Sequence, residues 1–160
     1  MSKKKIGIAA AALAVLGLAV FFLHAMLFPA EYRPADDEIA LRIQLATKED
    51  FGLLVYDYTA GGHTYSGGTS NVDGSLIRHD AEIMVVLGEK ELNGAAAPFE
   101  LSMQFRIITD YVTPNYENVY PDAITKYMEP LSWDARPGET YSLVITGDRA
   151  NGYKAALRQE

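Results

Sequence analysis

The sequence contains no cysteine. That removes disulfide staples, thiolate metal sites, cysteine nucleophiles and lipid attachment through an N-terminal cysteine. Any fold must therefore hold by core packing alone. Histidine is scarce as well. His24, His63 and His79 are far apart and form no H-x-H or H-x-x-x-H spacing, so metal hydrolysis lacks a ligand set, and no metal or other cofactor is expected. Basic residues do not cluster beyond Lys3, Lys4 and Lys5, so a nucleic-acid partner lacks its electrostatic footprint. The serine motif G-x-S-x-G is missing: Ser66 sits in His63-Thr64-Tyr65-Ser66-Gly67. No phosphate-loop pattern occurs either. Asp73-Gly74-Ser75 and Asp148-Arg149-Ala150-Asn151 supply oxygen donors but fall short of a calcium-loop pattern, and turn formation accounts for both.

What the sequence does contain begins with one long apolar run. Residues 6–28 read IGIAAAALAVLGLAVFFLHAMLF, apolar but for His24. As a helix at roughly 1.5 Å per residue, about 23 residues cover about 34 Å, enough to cross the hydrocarbon core. No polar face interrupts it, as one would in a soluble core helix. The three lysines before it, against Glu31, Asp36, Asp37 and Glu38 after it, place residues 1–5 in the cytoplasm and the rest outside. A cleaved signal peptide, giving a secreted protein, is the alternative. It calls for a shorter apolar core and a small-x-small site; Leu23 before Ala25 and Phe28 before Ala30 fit that poorly. The sequence thus predicts a single-pass signal anchor, with the bilayer itself as one partner through residues 6–28. His24 lies near the exit side, where a neutral imidazole reaches the interface.

Residues 29–38 form a linker, polar from Glu31 and carrying Pro34, too short to carry the domain far from a membrane. Residues 39–160 are the size of one domain. Without the three N-terminal lysines, the remainder carries 11 basic and 21 acidic residues, a poor match for anionic lipid surfaces.

Residues 39–46 alternate, with Ile39, Leu41, Ile43 and Leu45 on one side, which is the period of a half-buried strand. Residues 51–59 read as a second strand, turned by Gly61-Gly62 into a short return over 63–66. Residues 67–74 read as loop, 75–79 as a short edge strand, 81–87 as a strand and 88–98 as a connection. Phe99, Leu101, Met103, Phe105 and Ile107 then give the cleanest alternation, predicting a long central strand. Residues 113–137 carry Pro114, Pro121, Pro130 and Pro137, which excludes a regular helix or an inner strand, although 124–128 can form a short one. Pro137-Gly138 turns into strands over 141–146 and 153–157, joined by a hairpin loop.

Seven to nine short strands with turns between them predict an all-β protein, an antiparallel β-sandwich. The C-terminal pattern, Pro137-Gly138-Glu139, then Tyr141, Leu143 and Ile145, then a hairpin ending Asn151-Gly152-Tyr153, resembles the last two strands of immunoglobulin-like and fibronectin-like domains. That resemblance covers about 20 residues and implies an immunoglobulin-like sandwich; the Cys-Trp-Cys spacing of antibody-type domains is absent, and Trp133 is a core candidate.

One concentration suggests a site. Tyr111, Tyr116, Tyr120, Tyr127 and Trp133 fall in or beside the proline-rich stretch, interleaved with Asn115, Asn118 and Asp122. Aromatic faces with short polar side chains suit a protein partner or a sugar ring; the competing reading has these rings capping the core. With no catalytic motif, the chain reads as a non-enzymatic, membrane-anchored extracytoplasmic binding or protein-interaction domain. The alternatives are an exported hydrolase with a carboxylate pair distant in sequence, and a structural subunit of a membrane complex.

Overall fold

The computed structural model describes Val15, Leu18, residues 32–95 and residues 97–158. The chain divides into Met1–Tyr32 and Arg33–Glu160. The apolar run 6–28 lies outside the described residues except for Val15 and Leu18. Among the described residues no helix is long and apolar enough to cross a membrane.

The second unit is built from nine strands: β1 (Ile39–Thr47), β2 (Leu53–Ala60), β3 (His63–Thr69), β4 (Glu82–Leu87), β5 (Phe99–Ile108), β6 (Thr125–Tyr127), β7 (Leu131–Ala135), β8 (Thr140–Asp148) and β9 (Gly152–Leu157). A single helical turn, α1 (Glu89–Leu92), follows β4. One sheet has the order β4-β1-β8-β9; the other runs β3-β2-β5-β6, with β7 also on β5. The two-sheet, all-β sandwich therefore follows the alternation read from the sequence. Ile39, Leu41, Ile43 and Leu45 of β1 face Leu101, Met103, Phe105 and Ile107 of β5 across one buried core. An aromatic group fills its middle: Tyr58 stacks on Tyr65 with centroids 5.3 Å apart, and Tyr56 tilts against Phe105. Burial pushes the Tyr58 hydroxyl well above its ordinary range, with Glu91 adding to the effect.

The structure corrects four expectations. The sandwich is not wholly antiparallel, because β1 runs parallel to β8 from Ala40↔Thr140 to Thr47↔Gly147. Pairing direction depends on the path of the whole chain, which local alternation does not encode. Gly67–Thr69 belongs to β3 rather than to a loop. The Tyr56 ring lies over Gly67, where an added Cβ would sit 2.5 Å from it, so a cross-strand aromatic fills the space that glycine leaves. Residues 75–79 contribute only an isolated bridge, Phe51↔Ile77. Finally, the proline-rich stretch holds a strand that the sequence reading omitted, β7, in addition to the short β6.

The prolines explain how β6 and β7 fit. Both pair with the same side of β5, β6 along Arg106–Ile108 and β7 along Phe99–Met103. Pro130 lies in the break between them. Proline has no N–H for a ladder bond, so it belongs at such an edge rather than in a central strand.

The domain has two distinct ends. At one, Gly138 N donates to Glu38 O at 2.7 Å, so the start of β1 and the 137–138 turn lie together. At the other, Lys48 Nζ meets the Asp148 carboxylate at 2.7 Å, and Arg149 donates to Thr109 O. Nine residues of β1 at roughly 3.3 Å each separate them by about 30 Å. The chain enters β1 at the first end; residues 70–76 and 110–111 lie at the far end, and the 112–122 stretch turns back over the sheet as far as Ser66, midway along β3.

Candidate functional site

The proline-rich loop lies across the outer face of the five-stranded sheet. Side chains on that face alternate with those of the core: Leu53, Val55, Asp57 and Thr59 from β2 stand beside Ile108, Arg106, Gln104 and Ser102 from β5. A solvent-facing row should be polar, yet Leu53, Val55 and Ile108 are buried. They are buried because Val112, Tyr120 and Ile124 from the loop pack on them as a second small core.

Short polar side chains hold the loop in that path. Thr109 N and Oγ1 both donate to Ile124 O, closing its base. Thr125 Oγ1 donates to Pro121 O at 2.9 Å. Asn115 Nδ2 donates to Val119 O, and Val119 N donates back to Asn115 Oδ1. Asn118, with φ of 51°, reverses the chain there and donates from Nδ2 to Ser66 Oγ on β3 at 3.2 Å. Asparagine tolerates that left-handed conformation better than most residues with a Cβ. At the start of the loop, Gly52 allows the closest approach: an added Cβ would sit 2.1 Å from Asp110 O.

The five aromatic candidates separate under this geometry. Tyr120 turns inward onto the second core, and its hydroxyl accepts from Asn115 N at 3.2 Å. Tyr111 lies against Gly74 of the neighbouring 70–76 loop, which joins the two far-end loops. Tyr116 is fully exposed at the loop tip, with Val119 beside it at 67% exposure. Tyr127 is 57% exposed on β6, with the Arg106 guanidinium 5.7 Å from its ring centroid. Trp133 is remote from the tip. It faces inward from β7, packs on the main core and tilts against Tyr141 at 5.7 Å, and its buried Nε1 has no hydrogen-bond partner. Burial, then its bond to Glu139, pushes the Tyr141 hydroxyl up to about 12.

Two features were not singled out in the sequence. The first is Val72, fully exposed on the 70–76 loop; a lone valine in a polar stretch gives little sequence signal. The second is a groove of about 220 Å³ on the uncovered part of the same sheet, lined by Asp57, Thr59, Thr64, Ser102, Gln104 and Pro130. Arg106 bounds it on the loop side, paired with Asp57 at 3.2 Å. An outward row of Thr, Ser, Gln and Asp also suits an ordinary solvated sheet, so only the three-strand register brings it to notice.

Carboxylates at the far end are engaged in structure. Lys48, then Asn151, hold the Asp148 carboxyl well below the usual range. Glu49 accepts from Tyr153 Oη at 2.8 Å and from Arg149 N. Asp50 accepts from His79 N and faces His79 Nδ1, both at 2.8 Å, which lowers its pKa. Glu100 and Asp134 stand opposite one another across β5 and β7 on the open face of the sheet. Among the described residues no group of three or more His, Cys, Asp or Glu is placed to hold a metal.

No family model matches this chain, and no curated protein does. Solved structures with similar geometry include the membrane-binding domain of pneumolysin, at TM-score 0.37 and 10% identity over 77% of this chain and 97% of that one. Full-length pneumolysin follows at 0.35 and 11%, over 77% and 24%. A Gram-negative toxin gives 0.34 and 9%, over 79% and 23%. At these values the likeness carries no argument about function.

Proposed function

We propose that this chain is a non-enzymatic binding protein, held at a membrane by residues 6–28, whose exported sandwich docks a protein partner through the exposed loops that carry Tyr116 and Val72. The observation that carries this reading is the exposure of Tyr116 and Val72. Each is solvent-exposed over its whole surface, on adjoining loops, more than any other large apolar side chain described in the domain, and Val119 and Leu76 on the same two loops are exposed in part. Exposed rings with little conformational freedom are efficient contacts for a partner. The chemistry of that partner follows from the surroundings. Asp73, Glu117 and Asp122 are exposed on the same two loops, whereas Lys48 and Arg149 are paired with Asp148 and Asp110. A basic surface with an apolar pocket complements these two loops.

Extracytoplasmic placement rests on the apolar run, the lysines before it and the acidic, cysteine-free remainder. The immunoglobulin-like reading of the sandwich rests on its two sheets and the closing β8–β9 hairpin.

The test is a pulldown from crosslinked cells, comparing the full chain with the Tyr116→Ala, Val72→Ser double variant. Tyr120 must stay intact, because it packs inward and its loss would disturb the loop itself. We expect a basic partner that is recovered with the parent and lost with the variant. An unchanged set of partners sinks the loop tips as the docking site.

A further inference from the structure

The groove on the uncovered part of the five-stranded sheet is distinct from the loop tips, and what lines it speaks to a different ligand. Its floor comes from three adjacent strands in register: Thr64 on β3, Thr59 and Asp57 on β2, Ser102 and Gln104 on β5. Such positions are spaced about 4.8 Å across strands and roughly 6.7 Å along them, the scale of a pyranose ring with its hydroxyls. The lining combines hydroxyls that both donate and accept, an amide and one carboxylate. Thr59 Oγ1 and Thr64 Oγ1 lie 3.0 Å apart, so one donates to the other, and the accepting hydroxyl keeps its own O–H to donate to a ligand. Gln104 commits its Nε2 to Met128 O at 3.1 Å, which leaves its carbonyl as an acceptor. Pro130 supplies an apolar wall at the break between β6 and β7.

The charge pattern narrows the class. Arg106, the nearest cation, is already paired with Asp57 and lies against Tyr127, with its side chain only 12% exposed. An anionic ligand would meet the Asp57 carboxylate with no uncommitted cation in the groove, in a domain whose 20 acidic residues outnumber its 11 basic ones. A divalent cation would find one carboxylate. A purely apolar ligand would strand the hydroxyls and the amide without partners. At about 220 Å³ the groove is also smaller than the roughly 300–1,000 Å³ of typical small-molecule pockets, and it is open at the surface, as suits one ring of a longer chain.

We infer that this groove binds a neutral saccharide, one sugar ring seated on Thr59, Thr64, Ser102 and Gln104, with the Asp57 carboxylate accepting from its hydroxyls. The site is separate from the loop-tip docking surface, and either stands if the other fails.

The test is a titration of the full chain in detergent micelles, followed by amide chemical shifts. The probes are the methyl glycosides of glucose, galactose, mannose and N-acetylglucosamine, with methyl glucuronide and glucose 6-phosphate as anionic controls. At least one neutral glycoside should shift the amides of Thr59, Ser102 and Gln104 saturably in the millimolar range, and the anionic controls should not. Thr59→Val with Ser102→Ala keeps size and the Arg106–Asp57 pair intact, and should weaken that binding about tenfold. Tyr116→Ala should leave it unchanged. The inference is overturned if no neutral glycoside shifts the groove, if the anionic controls bind there instead, or if the double variant binds as well as the parent.

Discussion

The far end of the domain is held by a few charged side chains whose pairing sets a pH dependence. Asp148 accepts from Lys48 Nζ at 2.7 Å, and from Ala150 N, Asn151 N and Asn151 Nδ2. Those bonds favour its charged form, so its pKa is lower in the folded chain than in the unfolded one. A carboxylate depressed on folding stabilises wherever the pH exceeds its unfolded value, about 3.9. That contribution is lost as pH falls below about 4 toward the folded value. The Tm of the domain should therefore drop across this window. In Asp148→Asn, where the group no longer titrates, the drop should be shallower and the Tm at neutral pH lower. Thermal melts monitored by circular dichroism from pH 6 down to about pH 2 check this; parallel curves for the two proteins would contradict it.

At the scale of elements, the proline-rich loop is a covering layer with one side in and one side out. Tyr120 belongs to the second core with Leu53, Val55 and Ile108, whereas Tyr116 touches solvent only. Tyr120→Ala should cost about 2–4 kcal/mol, below the range for fully buried rings because its own burial is partial. Tyr116→Ala should stay within about 0.5 kcal/mol of the parent. Urea denaturation of both variants measures the contrast, and equal costs would mean that the loop does not lie as described. The sequence alone could not separate these two tyrosines. They are four residues apart in a stretch with no period, and their orientation is set by the local bonds of Asn115 to Val119 and Tyr120 together with the tertiary contacts Asn118–Ser66 and Thr109–Ile124. Strand β5, by contrast, was legible, because five alternating apolar side chains mark its main buried face; only Ile108, buried on the other face beneath the loop, departs from that pattern. The middle case is β7: Leu131, Trp133 and Ala135 do alternate, but Pro130 and the short span hide the pattern. The groove was least legible. Its polar residues are what any solvated sheet face carries, and only the register among β3, β2 and β5 gathers them.

For the whole molecule, direction is the consequence that matters. The chain enters β1 at one end of the sandwich; the 70–76 loop lies about 30 Å away at the other, and the turn carrying Tyr116 crosses the outer face of the five-stranded sheet beside Ser66. The exposed acidic residues on the two loops would draw a basic partner through long-range attraction. The saccharide groove lies on the side of the same sheet, so both surfaces are available on one domain.

The most direct measurement is site-specific photocrosslinking of the full chain in cells, with the photoreactive residue at position 116 in one protein and at position 62 in another. Gly62 lies in the β2–β3 turn at the end where β1 begins, and its surroundings are open. The account predicts a discrete adduct with a basic protein from position 116 and none from position 62. An adduct from position 62 alone, or none from position 116, would contradict docking through the Tyr116 loop.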